Sequence, residues 1–406
     1  MPPGANPTSE ISSVTLLQTA EFDLRDLFLS SRLKPRLRQR HESRPSMTRD
    51  YSHFLPPRPR DTGSHSELSP LQALGWQPFF AQQISADELT ATPPVRVVEV
   101  HRNALHVVGD NIDTTLPPRQ DVTVGDWLLL DQARLRSSQV LERASVIKRR
   151  APGTDRQEQL IAANIDTAFI VTSCNQDFNI ARLERYVALA YEARITPVIV
   201  LTKKDLATDP QGYVDAARAV SDLIDVIALD ARSTAPGTEL ADWCRPGKTV
   251  AFLGSSGVGK STLTNALLDS QSIETRAIRE DDAKGRHTTT RRELHAMQNG
   301  CLILDTPGMR ELQLADAAEG IQDLFADIQD FAARCRFNDC RHETEPGCHV
   351  LAAIEEGALD ASRLGRWRKL IAEDAFNSAS LAERRSRDKT FGKMVRDVKK
   401  LKGINR

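Results

Sequence analysis

Residues 249–268 read Thr-Val-Ala-Phe-Leu-Gly-Ser-Ser-Gly-Val-Gly-Lys-Ser-Thr-Leu-Thr-Asn-Ala-Leu-Leu. A short apolar run, a glycine-rich turn over 254–261 and a helix-prone stretch follow one another directly. That succession is the phosphate-loop pattern in its required strand-to-helix setting. Glycines let the backbone curl so that successive amides point at phosphate oxygens, and the start of the helix adds partial positive charge. Gly254, Ser255, Ser256, Gly257, Val258, Gly259, Lys260, Ser261 and Thr262 are therefore the expected phosphate contacts. Lys260 would reach the β and γ phosphates and the Ser261 hydroxyl would hold Mg²⁺.

Around the loop, runs at 167–172, 197–201, 226–229 and 301–304 are apolar and β-prone, and 180–193 has helical spacing. Strands alternating with helices imply a parallel sheet, and ligands bind at the carboxyl ends of its strands. Three of those ends carry chemistry. Thr202, Lys203, Lys204 and Asp205 follow the run at 197–201. A carboxylate there accepts the N1 hydrogen and the exocyclic amine of guanine, which adenine does not offer together, while the Lys203 stem covers the purine face. Alone, such a stretch reads as a solvated turn. Asp230, Ala231 and Arg232 follow the next run, and a backbone amide there suits the guanine oxygen. Asp305, Thr306, Pro307 and Gly308 follow the last, with Asp305 expected on Mg²⁺ through water and the Gly308 amide on the γ-phosphate.

Between the two phosphate elements, Gly285, Arg286, His287, Thr288, Thr289 and Thr290 read as a switch loop, one of whose threonines completes the metal shell. Nonpolar Met309 stands where many GTPases have a water-orienting glutamine, so His287 is the candidate to place the attacking water, with contact to RNA or solvent as its other reading. Lys260, His287 and Thr289 are the expected catalytic groups. Ordinary GTPases run phosphate loop, switch threonine, Asp-x-x-Gly, then the base-reading Asp. Here 202–205 precedes 254–261, so the order is circularly permuted. The segment after Asp305 and Gly308 consequently runs straight into the C-terminal region, coupling any γ-phosphate-dependent movement to it.

At 406 residues, 40% apolar and 27% charged, the chain has the composition of a soluble protein with several cores. With no apolar stretch of ~18 residues and no secretory leader, a cytoplasmic protein without a membrane partner is expected. The net charge of -1 conceals two basic ends: residues 32–60 hold nine Lys or Arg against two acids, and 363–406 hold fourteen against five. Such ends suit a polyanion, or are solvated tails. Residues 1–68 read as a flexible basic extension. From Leu71 onward, Trp76, Phe79, Phe80, alternating runs at 95–100 and 105–108, and Val124 to Trp127 point to a small barrel ending near Arg150. Its aromatics stack bases or, more commonly, fill core, and Arg143, Lys148, Arg149 and Arg150 form a basic flank. Cys335, Cys340, His342 and Cys348 have the spacing of a tetrahedral zinc site, with neighbouring His349 a competitor, while Cys174, Cys244 and Cys301 read as core thiols.

Leu74-Gly75-Trp76, Val124-Gly125-Asp126-Trp127, Ile161-Ala162-Ala163-Asn164-Ile165-Asp166, the switch stretch, Asp305 through Arg310, and Cys335 through Cys348 together make a chain that resembles the ribosome small-subunit-dependent GTPase family over 71–370. The resemblance implies an all-β OB-fold that binds RNA over 69–150, a circularly permuted α/β GTPase domain over 151–314 and a mainly α zinc domain with a basic tail over 315–406. It implies a monomer that binds GTP and GDP, acts with the small ribosomal subunit and its rRNA in late maturation, and is stimulated by that particle. Thr202 stands where the family more commonly has Asn, a departure that bears on guanine selectivity. The rival readings are a P-loop ATPase and a nucleotide-gated RNA-binding scaffold with little turnover.

Overall fold

The computed structural model describes residues 68–150, 158–268, 292–305 and 316–378. Three short helices open this part of the chain: α1 (Pro70–Ala73), α2 (Pro78–Ala81) and α3 (Ala86–Ala91). Ser69 and Ser85 begin the first and third in capping boxes closed by Gln72 and Glu88, so the cap amide and the third-residue amide of each are satisfied. Strands β1 (Pro94–Val100), β2 (Leu105–Gly109) and β3 (Ile112–Leu116) form an antiparallel meander. β4 (Trp127–Leu129) pairs with the start of β1, and β5 (Gln139–Val140) with β4, giving the order β3-β2-β1-β4-β5. Val95, Val97, Leu105, Val107, Leu116 and Leu128 make a core for these strands. The alternating burial of β2 is what a sheet covered on one face requires. β6 (Val146–Arg150) and β7 (Glu158–Ala163) form a separate antiparallel hairpin.

The second half is doubly wound. β8 (Thr167–Ser173) leads through α4 (Ile180–Glu192) to β9 (Thr196–Thr202), through α5 (Pro210–Arg218) to β10 (Asp225–Ala228), and through α6 (Ala235–Glu239) to β11 (Thr249–Leu253). α7 (Lys260–Leu268) follows, then β12 (Arg292–Ala296) and β13 (Leu302–Asp305). β8, β9, β10, β11 and β13 are mutually parallel. Along β8 the side chains divide: Ala168 and Ile170 join one core, Phe169 and Val171 the other. Burial on both faces is why this strand reads as an unbroken apolar run.

β12 lies antiparallel to β13 and also to the end of β1, through Glu99 opposite Glu293 and Val100 opposite Arg292. The meander and the parallel sheet are thereby one continuous sheet, ordered β10-β9-β8-β11-β13-β12-β1-β2-β3. The C-terminal helices are α8 (Ala318–Leu324), α9 (Ala326–Ala332), α10 (His349–Glu355) and α11 (Ala361–Ser378). α8 approaches α4 so closely that a Cβ on Gly320 would lie 2.0 Å from the Ala188 carbonyl oxygen. α11 is tied to α4 by a buried carboxylate: Glu184 accepts from Arg366 Nε at 2.8 and 2.9 Å, with Arg363 at 3.7 Å. Burial raises the Glu184 carboxyl, and the two guanidinium groups oppose that rise. Among the described residues no helix is long and apolar enough to cross a membrane.

Arg96 on β1 joins the parts. Its guanidinium is buried and donates to the carbonyls of Leu74, Gly125 and Asn164, which belong to the helical entry, the turn before β4 and the turn before β8. Burial lowers its pKa to about 10, against the pull of Asp166 and Asp126, so it remains charged at neutral pH. Asp166 completes the join, accepting from Gln77 Nε2 at 3.0 Å, Lys248 Nζ at 2.8 Å and the Thr249 amide at 2.9 Å. Replacing Arg96 with Met would leave three carbonyls without their donor at a cost of about 3 kcal/mol. The Arg96→Met variant is therefore expected to unfold in urea at a clearly lower midpoint than the wild type.

Candidate functional site

The parallel register places the carboxyl ends of β8, β9, β10, β11 and β13 along one edge of the sheet. At that edge the chain leaves β11 through Gly254, whose φ of 142° is open to glycine and whose added Cβ would sit 2.3 Å from the Val171 carbonyl oxygen. Residues 254–259 then curl into α7, which is anchored by buried Leu263 and Leu267. Ser256, Gly257 and Ser261 face solvent, while Val258 is buried beneath them. The Lys260 ammonium donates to the carbonyls of Gly254 and Ser255, which places its charge across the mouth of the loop. Arg182, near the start of α4, donates to Ser255 Oγ at 3.1 Å. No motif marks Arg182, and only folding brings it to the loop.

Thr202 closes β9 and is fully buried. Its hydroxyl donates to the Val258 carbonyl of the phosphate loop at 2.6 Å and lies 3.2 Å from the Thr172 carbonyl of β8. It thus sits beneath the loop and holds it, with its side chain away from solvent. Lys203 follows in the left-handed conformation, at φ 58°, and turns the chain so that Lys204 and Asp205 emerge at the surface. The Asp205 carboxylate accepts from Arg232 Nη2 at 2.8 Å. Arg232 comes from the turn after β10, where Ala231 is buried and the Asp230 carboxylate accepts from the Arg232 amide at 2.9 Å. The structure therefore brings together 202–205, 230–232 and 254–262 from well-separated parts of the chain. The backbone of Asp305 ends β13 beside β11 at the same edge. Its side chain, and Thr306, Gly308, His287, Thr288, Thr289 and Thr290, lie outside the described residues.

A second cluster forms around the start of α10. One ligand atom from each of Cys335, Cys340, His342 and Cys348 lies within 4.8 Å of the others. Cys335 Sγ and Cys348 Sγ are 3.9 Å apart, and His342 Nδ1 is 3.7 and 3.4 Å from them. A tetrahedron built from bonds of about 2.3 Å to sulfur and 2.0 Å to nitrogen has edges of about 3.8 and 3.5 Å, so the donor set fits a tetrahedral metal. Burial, with Arg368 nearby, lowers the His342 pKa and favours the neutral imidazole that can act as a ligand. Burial raises the Cys335 thiol, yet the amides of Val350 and His349 bring it net below its usual value. Glu345 holds the knuckle by accepting from the amides of Arg341, Glu343 and Thr344, and these bonds hold its carboxyl at about 2. His349 is exposed at the start of α10 and is not in the cluster. Cys174, Cys244 and Cys301 are buried thiols.

The aromatics of the N-terminal part are largely core: Phe80 and Trp127 are buried, and Trp76 meets Trp127 edge-on at 4.7 Å. Phe79 is the one with substantial exposure, 38%. The basic flank is mostly engaged within the chain. Arg143 grips the buried Asp126 carboxylate with Nε at 2.7 Å and Nη2 at 2.8 Å, Arg149 donates to Gln159, and Lys148 lies 3.4 Å from Glu158.

Comparison with known proteins gives consistent relatives. The model of the family described as RsgA GTPase matches residues 140–315. A protein of Vibrio parahaemolyticus named small ribosomal subunit biogenesis GTPase RsgA 2 is 47% identical over 342 residues, covering 82% of this chain and 94% of that one. One of Mesorhizobium japonicum, named small ribosomal subunit biogenesis GTPase RsgA, is 49% identical over 316 residues, covering 76% and 91%. Among solved structures, YjeQ from Thermotoga maritima superposes with a TM-score of 0.50 at 25% identity, covering 69% of this chain and 97% of that one.

Thr202→Val replaces the buried hydroxyl by a methyl of similar size and leaves the Val258 carbonyl without its donor. A lost bond of this kind costs about 1 kcal/mol of folding stability, so the thermal midpoint is expected to fall by about 2–4 °C, and GDP affinity measured by titration to fall by up to roughly fivefold as the loop loses its tether.

Proposed function

Because the chain belongs to the RsgA GTPase family, we propose that it hydrolyses GTP in late maturation of the small ribosomal subunit, with hydrolysis stimulated by that subunit. The observation that carries this reading is the Thr202 hydroxyl bonded to Val258, which sets the turn carrying Asp205 against a glycine-rich loop that ends in Lys260 and Ser261. One element alone would suit any nucleotide. The pair, read with the family, suits GTP.

In this reading Asp205 selects guanine, Lys203 covers the purine face, and the Ala231 turn supplies an amide to the guanine oxygen. The amides of 254–262 and the Lys260 ammonium hold the phosphates. Ser261 and Asp305 would hold Mg²⁺, which offsets phosphate charge when bound. Water adds to the γ-phosphorus as the bond to the β–γ bridging oxygen breaks, leaving GDP and phosphate. His287 positions that water, Thr289 and its neighbours complete the switch, and the Gly308 amide contacts the γ-phosphate. Zinc is the metal proposed for the Cys335, Cys340, His342 and Cys348 cluster, where thiolates and a neutral imidazole match its preferences. The order β3-β2-β1-β4-β5 supports an OB-fold for the first strands, the architecture of many RNA-binding modules.

Asp205→Asn is expected to lose GTP and to gain xanthosine triphosphate, because the amide donates where the carboxylate accepted; unchanged GTP affinity would refute the base reader, and ATP competing as well as GTP for the wild-type site would favour an ATPase. His287→Ala should retain GTP binding and subunit association while losing most of the subunit-stimulated rate. Full stimulation in that variant removes the catalytic role, and lost association points to an RNA contact instead. Elemental analysis of the purified protein should find about one zinc per chain. A folded protein without metal would rule the zinc assignment out.

A further inference from the structure

The carboxylate assigned to reading guanine already has a partner supplied by the chain itself. Arg232 Nη2 lies 2.8 Å from Asp205 Oδ2, while Arg232 Nε lies 3.8 Å from Asp230 Oδ1. Guanine approaches such a carboxylate with two adjacent N–H donors, from N1 and from the exocyclic amine. A guanidinium presents the same kind of planar N–H fork. The two therefore compete for one site. Arg232 side chain is 65% exposed and Asp205 30%, so neither is locked in place and exchange costs no core packing.

We propose that Arg232 is an internal guanine surrogate that occupies Asp205 when the nucleotide site is empty, opposes entry of guanine and thereby lowers affinity for guanine nucleotides. The inference rests on Asp205 being the base reader. Asp230 gives the displaced guanidinium a second place to go. Its Oδ1 already fixes the Arg232 amide at 2.9 Å, so the arginine pivots about a held backbone between two carboxylates. As guanine leaves, Arg232 returns to Asp205 and its charge is again compensated. A neutral residue at this position would leave Asp205 open to guanine at all times. The sequence stretch Asp230-Ala231-Arg232 is thus both the turn beside the base and the carrier of its competitor.

An exposed ion pair of this kind shifts an equilibrium by up to about fivefold. The test titrates fluorescently labelled GDP into the full-length wild type, Arg232→Ala and Arg232→Lys at low and high salt, and follows association on mixing and dissociation by chase with unlabelled GDP. Arg232→Ala is expected to bind about two- to fivefold more tightly at low salt, chiefly through faster association, and the difference should shrink at about 0.5 M salt as the pair is screened. Arg232→Lys, which keeps the charge without the planar fork, should fall between the two. Equal or weaker GDP binding by Arg232→Ala, with its thermal midpoint unchanged, would overturn the surrogate role. A protein that binds GDP no better than ADP, in wild type and variants alike, would instead overturn the assignment of Asp205 on which the inference rests.

Discussion

The hydroxyl of Thr202 reaches 2.6 Å to a carbonyl 56 residues further along the chain, and the geometry of the nucleotide edge depends on that bond. Strand pairing fixes where β9 and β11 end, on either side of β8, but it leaves the loops beyond those ends free to settle independently. A buried side chain that donates to Val258 removes that freedom. The same bond also shows what Thr202 does here: its side chain points into the loop and away from solvent. A tether needs one donor of the right reach, and a hydroxyl supplies it, while Asp205 further along the turn stays at the surface. Gly259 is part of the same arrangement: it has a φ of 98°, and a Cβ there would lie 3.4 Å from Thr202 Oγ1.

Beyond this edge, the permuted order determines what the site is connected to. β12 stands between the switch stretch and Asp305 in sequence, and in the sheet it pairs with β13 on one side and β1 on the other. On the other side, α4 carries Arg182 to the phosphate loop and Glu184 to Arg366 of α11. One helix touches both the loop and the C-terminal helices, and the metal cluster lies within the same C-terminal assembly through Arg368, which donates to the carbonyls of Arg341 and His342. One helix, α4, thus links the loop at 254–259 to the C-terminal helices, and one strand, β12, links β13 to the N-terminal meander.

Much of this was legible from residue order because the signals are local. The phosphate loop needs its glycines, lysine and serine in one stretch, a metal knuckle needs its ligands close in sequence, and buried parallel strands such as β8 and β9 announce themselves as apolar runs. What escaped reading depends on long-range contact. The pairing of β12 with β1 rests on a two-residue register with no pattern of its own. Arg96 looks like an exposed strand residue beside Val95 and Val97, yet three distant carbonyls bury it. β6 continues the texture of the barrel strands, but Val146 lies opposite Ala163 in a hairpin of its own. Arg143, one of the charges expected on a basic flank, is engaged by Asp126 instead. Arg232 was visible beside Asp230, but its contact with Asp205 follows from the adjacency of β9 and β10 rather than from any motif.

A GTPase with nonpolar Met309 directly after Gly308 is expected to turn over slowly until a partner completes its site. The direct measurement is phosphate release from GTP by the purified protein, alone and with purified small ribosomal subunits, with ATP and large subunits as controls. Slow release alone is expected, with a rise of at least about tenfold that is specific to GTP and to the small subunit. A rate unchanged by small subunits, or equal release from ATP, would contradict it.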